Sequence, residues 1–515
     1  MRGEDEGRTW RLAIGVVLAA ALVRLVFAGL IPLFPDETYY WEWSRRPASS
    51  YFDHPPAISA VIAFGTALFG DTRVGVRFGA VLLSLVGSVA SIALARRLAG
   101  GKAALVSALA LSVMPMAAAG LLLATPDAPL LAAFAVATWA LIRALESEPG
   151  TMREIGWWCA TGLALGAALL SKYTAVLLPA GVLLGFAVDP RLRRRLLTPG
   201  PWIGLGLGLA AFSPVIMWNA QLGWPSFAFQ LDHGFGGGGS DAGLLTRLLG
   251  SVNRVFEYLG GQLGLVSPIL FVLMGTSVVL ALRSGLRGQG DPRKTVLAGI
   301  ALLIFGTFAI SALRRHVEPN WPAPAYVAGI VLLGARCKVV SSRWLGWGLW
   351  LGAVLVVGIY LQALVPALPI DARRDPIAQG HGWESLAGVT EGARNRLFGA
   401  GCPSVHVATN RYQEASELAF HLPDHPAVFS LNVQRRSNQY AIWQGFEETA
   451  SAGDCLVFVD IDDDGARRIA EDLGDRFDSL TEIGPTQRKR GRGVTADYRL
   501  WGFTGWTGES LTPSS

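Results

Sequence analysis

Residues 33–60 read LFPDETYYWEWSRRPASSYFDHPPAISA, which sets Asp36, Glu37, Glu42, Asp53 and His54 among seven aromatic residues directly after an apolar run. Carboxylates in such a loop can bind hydroxyls or take up a proton, and rings such as Tyr39 and Tyr40 can stack on the face of a sugar. Helix capping is the competing use. Asp36 and Asp53 both precede plausible helix starts, and DHPP has the form of an N-cap followed by first-turn prolines.

Other chemically able residues stand at the ends of later apolar runs. Lys172 splits a long apolar stretch at SKY, Asp127 lies in TPDAP, and Arg77 opens the run that follows the first loop. The stretch RRHVEPNWPAP brings Arg314, Arg315, His316, Glu318, Asn320 and Trp321 together. Each has a plain structural alternative: Lys172 as a snorkelling side chain, Asp127 as a helix cap, and the His316–Asn320 loop as an ion pair and cap before the next helix. As a set, cations beside carboxylates at the lip of a lipid-facing cavity suit a substrate that carries a phosphate and a sugar on a hydrocarbon chain. Spacing for a metal site is absent from the sequence, so no metal or other cofactor is implied, and none is forbidden.

The elements that must position these residues are membrane helices. Of 515 residues 51% are hydrophobic and 16% charged, and the mean hydropathy is +0.39, too apolar for an ordinary soluble chain of this length. Runs near 11–31, 74–95, 103–122, 128–145, 155–171, 173–188, 201–218, 258–282, 295–312, 321–335 and 344–365 predict about eleven spans. The first run lacks a small-residue cleavage site and reads as a span, not a signal peptide. Strict alternation puts the basic loops inside, among them 96–102, 191–195 and 283–294. It puts 33–54, Asp127, Lys172, 219–254 and 314–321 on the outer face, with 55–70 as a helix lying in the interface. The net charge of +5 then reports topology, and no nucleic-acid partner is expected.

The expected division is a transmembrane domain over 1–365, with a first outer loop at 33–73, and a soluble α/β domain over 366–515. SVHVATN, AVFSLN and CLVFVDID read as strands, and RYQEASELAFHL and ARRIAEDL as helices. Cys402 and Cys455 each open a strand, which allows either a disulfide in an oxidising compartment or two separate buried thiols. HGFGGGGSD reads as a flexible outer loop and lacks the strand-to-helix setting of a phosphate loop.

PDETYYWEWS, YFDHPPAISAVIAFGTALFGDTRVGVRFGAVL, LLSKYTAVLLP, EPNWPAPAY and the Gly382-Trp383 pair, taken in order, resemble the GT-C membrane glycosyltransferases of the protein O-mannosyltransferase and lipid A aminoarabinose transferase type. The resemblance implies an inverting transfer of a sugar from a polyprenyl-phosphate carrier to a glycolipid, polysaccharide or protein hydroxyl, in a bacterial inner membrane with the site and tail extracytoplasmic. It makes Asp36 and Glu37 the acidic pair of the first outer loop, Asp53 the second loop carboxylate, and Lys172 a neighbour of the carrier phosphate. Where that family has YFEKP this chain has YFDHP, so His54, only partly protonated near neutrality, replaces a permanent charge. Arg77 or Arg314 can supply what it lacks. A transporter or flippase of a lipid-linked or charged solute is the alternative function; it calls for midplane charges and an internal repeat, neither of which is evident. A ligase moving whole lipid-linked oligosaccharides shares the chemistry and needs a larger outer groove.

Overall fold

The computed structural model describes residues 2–235 and 244–511, and most of the glycine-rich run HGFGGGGSD lies outside them. The chain forms two compact units, Met1–Leu30 with Pro47–Tyr360, and Ile31–Arg46 with Leu361–Ser515.

In chain order the helices are α1 (Arg2–Leu30), α2 (Pro35–Arg45), α3 (Ala57–Phe69), α4 (Arg73–Ala99), α5 (Gly101–Ser112), α6 (Pro115–Gly120), α7 (Asp127–Glu146) and α8 (Met152–Leu169). They continue with α9 (Leu177–Val188), α10 (Pro199–Gln221), α11 (Pro225–Phe235), α12 (Leu244–Val266), α13 (Pro268–Leu286), α14 (Pro292–Ala312), α15 (Ala323–Ala335) and α16 (Ser342–Leu364). Among the described residues seven of these, α1, α4, α7, α10, α13, α14 and α16, are long and apolar enough to cross a membrane. Shorter apolar helices include α3, α5 and α15.

Charge decides one helix boundary and proline two others. The stretch 155–188 breaks at Lys172, which is extended at φ −156° and ψ 138° between the end of α8 and a 3₁₀ turn at Tyr173–Val176. Two runs expected to be continuous are not. Residues 103–122 divide into α5 and α6 at Pro115, and 258–282 divides between α12 and α13 at Pro268, because proline has no N–H for the helix ladder and clashes with the preceding turn. Close helix packing rests on missing side chains: a Cβ at Gly162 of α8 would sit 2.0 Å from the Gly204 carbonyl oxygen of α10.

The second unit is an α/β domain with helices α17 (Trp383–Gly399), α18 (Tyr412–His421), α19 (Phe446–Thr449) and α20 (Asp464–Gly474). Its strands are β1 (Val405–Thr409), β2 (Val428–Ser430), β3 (Cys455–Ile461), β4 (Phe477–Arg490) and β5 (Gly493–Trp506), in the order β2-β1-β3-β5-β4. The β1 strand pairs in parallel with β2 and β3, while β5 is antiparallel to β3 and β4. Alternation along β3 sends Leu456 and Phe458 into a core with Ala466, Ala470 and Leu473 of α20. Val457 and Val459 are buried as well, so this strand at the centre of the mixed sheet is covered on both faces.

Cys402 and Cys455 form a disulfide with Cα atoms 5.9 Å apart, so the bonded alternative holds. The link closes a loop of 53 residues, worth about 4 kcal/mol on a chain-entropy account. Cys402→Ser is expected to lower the melting temperature of this unit by several degrees, read from the loss of near-UV dichroism on heating. An unchanged melt would remove the bond from the stability of the domain.

Candidate functional site

The described contacts gather the chemically able residues into two groups, one in each unit. In the first unit, Lys172 Nζ lies 2.8 Å from Asp127 Oδ1, and both side chains are nearly buried. Asn320 Nδ2 donates to the other oxygen, Asp127 Oδ2, at 2.6 Å. Asp127 occupies the first turn of α7, where the helix dipole favours a carboxylate. The loop carrying Asn320 is itself held: Gln262 of α12 donates to the Pro319 carbonyl at 3.0 Å and accepts from the Tyr326 hydroxyl at 2.6 Å.

The Asp53 loop is fixed through its backbone. Ser226 Oγ donates to the Tyr51 carbonyl at 3.0 Å, and Gln230 Nε2, one turn along α11, donates to the Asp53 carbonyl at 2.7 Å. Ala57 N donates to the Leu170 carbonyl at 2.9 Å, which ties this loop to the segment that carries Lys172. Asp53 does not cap α3, whose N-cap is Pro56 and has no side-chain cap.

Arg77, expected near phosphate, is fully buried and donates to the Ala28 carbonyl at 3.2 Å, where it satisfies the C-terminal end of α1. Arg314 is exposed just beyond α14. His316 is exposed too, with Nδ1 3.5 Å from Glu257 and Nε2 3.8 Å from Glu318. Trp321 packs its ring 5.8 Å from that of Phe308.

In the second unit α2 presents Asp36 to solvent and turns Glu37 inward. The Glu37 carboxylate accepts from Phe34 N at 3.1 Å, which satisfies the backbone donor of the N-cap residue at the start of the helix. Tyr39 and Tyr40 were expected to offer their rings to a sugar, but they are buried. The Tyr39 hydroxyl accepts from Gln439 N at 2.8 Å and its ring lies 4.5 Å from that of Tyr412, while Tyr40 packs edge-on to Trp43. Thr38 and Ser416 share a hydrogen bond of 3.1 Å, and the Trp41 ring meets Phe420 at 5.0 Å. The acid-bearing helix is thus built onto α18.

Residues 53–218 match the family of dolichyl-phosphate-mannose-protein mannosyltransferases. The chain is 25% identical over 325 residues to the lipid A galacturonosyltransferase RgtD of Rhizobium johnstonii, covering 62% of this chain and 64% of that protein, less than two thirds of its length. It is 26% identical over 426 residues to the undecaprenyl phosphate-alpha-4-amino-4-deoxy-L-arabinose arabinosyl transferase of Pseudomonas aeruginosa, covering 70% of this chain and 76% of that one. The fold matches the crystal structure of ArnT from Cupriavidus metallidurans bound to undecaprenyl phosphate, with a TM-score of 0.65 at 18% identity over 98% of this chain and 99% of that one.

The chain has the GT-C fold of ArnT, and its family match and its relatives are of the ArnT and protein O-mannosyltransferase type. It is a multi-pass membrane protein.

Sequence reasoning missed Gln262, Ser226 and Gln230 in this GT-C chain. They act on backbone carbonyls, an arrangement with no residue spacing to reveal it. Among the described residues no group of three or more His, Cys, Asp and Glu side chains is placed to hold a metal ion.

The support under α2 is itself acidic. Burial pushes Glu414 and Glu417 of α18 up to about 7, and Asp460 at the end of β3 up to about 6. His421 lies 3.3 Å from Glu417 and, with Arg488, partly offsets that rise, whereas the Glu37 charge adds to it. Each of the two folded-state glutamates keeps a proton that the unfolded chain has already released, so its contribution to stability is full below about pH 4.5 and is lost as pH rises through about 7. The melting temperature of the second unit is therefore expected to fall between pH 5 and pH 8, and Glu417→Gln, a neutral isostere, is expected to flatten that fall. Equal slopes in the two proteins would mean that Glu417 does not titrate in this range.

Proposed function

We propose that this GT-C protein is an inverting glycosyltransferase that moves one sugar from a polyprenyl-phosphate carrier to an acceptor hydroxyl at the outer face of a bacterial inner membrane. The observation that carries the reading is the Lys172–Asp127–Asn320 cluster, tied through Leu170 to the Asp53 loop. The outward placement is supported by the basic loops and by the disulfide, a bond that persists in oxidising compartments. One relative, the lipid A galacturonosyltransferase, favours an envelope glycolipid of the lipid A class as acceptor.

The leaving group is a lipid phosphate, already stable as an anion, so its departure calls for a cation more than for a general acid. Lys172 meets the phosphate, with Asp127 and Asn320 fixing where the ammonium points. Arg314 is a further exposed cation, and His316 an exposed imidazole, available to it. His54 serves the donor, and Glu318 and Trp321 the sugar or the acceptor. One base then suffices: Asp53 or Asp36 takes the acceptor proton as the hydroxyl attacks the anomeric carbon opposite the departing phosphate. Glu37 holds the helix that carries Asp36.

Purified protein incubated with a panel of polyprenyl-phosphate sugars is expected to release the free lipid phosphate, followed by mass spectrometry. Release from none of the donors, with measurable solute transport, would overturn the enzyme reading. The residue whose carboxylate is the base should lose about a hundred- to ten-thousandfold in kcat as Asp→Asn, with folding intact. Full turnover in Asp36→Asn or in Asp53→Asn takes that residue out of the role.

Removing Lys172 alone strands a buried carboxylate, which is destabilising in itself. The informative variant is thus the pair Lys172→Gln with Asp127→Asn, compared with Asp127→Asn alone. The pair is expected to weaken donor binding by about ten- to hundredfold, the worth of a hydrogen bond to a charged group. Equal donor affinity in the two variants would exclude Lys172 from the phosphate.

A further inference from the structure

The last turn of α16 belongs to the second unit, and the tip of the β4–β5 hairpin is pinned to it. Arg490 donates to Asp375 Oδ2 at 2.6 Å and to the Gln362 carbonyl, and Gln362 Nε2 donates to the same carboxylate oxygen at 2.8 Å. All three side chains are buried. Alternation along β4 turns Arg488 and Arg490 inward and Lys489 outward. Arg488 donates to the Gln379 and His381 carbonyls and stacks over Trp383.

What the knot leaves outside is a basic and apolar surface. Arg374, Lys489 and Arg492 are exposed and have no ion-pair partner among the described residues, whereas neighbouring Arg373 is matched by Asp497 at 2.6 Å. Val365, Leu368 and Ile370, which follow α16 directly, are 45–61% exposed. A helix apolar enough to span a membrane thus runs straight into an exposed apolar segment, with three unmatched cations held beside its last turn. Cations beside apolar side chains fit the interface of an anionic bilayer, where the side chains enter the acyl boundary and the charges meet phosphate.

We propose that the β4–β5 hairpin tip and residues 365–374 form a membrane-surface anchor, docking the soluble unit on phosphate-bearing lipid headgroups at the level where α16 leaves the hydrocarbon. The anchor does not depend on which sugar, or whether any sugar, is transferred. An anionic surface favours each such cation by about fivefold, so the three together bias docking by roughly a hundredfold.

The test uses the full chain in nanodiscs of phosphatidylcholine, with or without phosphatidylglycerol, followed by amide hydrogen exchange over 365–375 and 486–494. Exchange there is expected to slow by about tenfold in the anionic discs. The effect should vanish at high salt and in the triple variant Arg374→Gln, Lys489→Gln, Arg492→Gln, while exchange in the buried β3 stays unchanged as the control for folding. Equal exchange in the two discs, or slowing that survives the triple variant, would overturn the proposal. The first of these outcomes would leave the surface to a soluble protein partner.

Discussion

An ammonium group at the end of an apolar helix cannot be left alone in hydrocarbon, where a charge costs about 3 kcal/mol even on the lenient insertion scale. Lys172 meets this constraint by ending α8, adopting an extended backbone and pairing with Asp127. Its partner gains from the N-terminal dipole of α7, and the remaining carboxylate oxygen accepts from Asn320. Asn320 must then be held in place, which falls to Gln262 of α12 through the Pro319 carbonyl. Four parts of the first unit are registered by one polar knot, and the Asp53 loop joins it through the Leu170 carbonyl two residues before the lysine.

The second unit solves a different problem, that of holding a short acidic helix which shares few local contacts. Eleven residues make too short a helix to persist alone in water, so α2 depends on tertiary packing. Its partners lie hundreds of residues further along the chain: Ser416 for Thr38, Gln439 for Tyr39 and Phe420 for Trp41. The exposed Asp36 is therefore placed by the folded C-terminal domain. Burying Glu414 and Glu417 beneath the helix costs stability when they ionise, so the same support is sensitive to proton concentration.

These two devices were legible in the sequence to different depths. The break at Lys172 could be read because a charge inside an apolar run has few uses, and the first three strands because β-branched runs stand out from a polar tail. The α12 helix was only half visible, since Asn253, Arg254 and Glu257 give it a polar side that a search for apolar runs passes over. The long β4–β5 hairpin was missed because its arginines and lysine mask the alternation, although two of those arginines point inward. Arg77, Tyr39 and Tyr40 were singled out for their chemistry; residue type tells what a side chain can do and nothing of whether it is buried.

Pairing Lys172 with Asp127 also bears on how the proposed reaction would be driven. A carrier-linked sugar presents a phosphodiester with a single negative charge, whereas the departing lipid phosphate approaches two. A lysine already satisfied by a carboxylate gains little from the first and more from the second, because the attraction grows as the bond to the anomeric carbon breaks. Interactions that strengthen toward the transition state raise turnover, while those equal in both states only tighten binding. In the proposed reaction the Asp127 carboxylate would thus temper the hold on the donor without removing the charge that the leaving group needs.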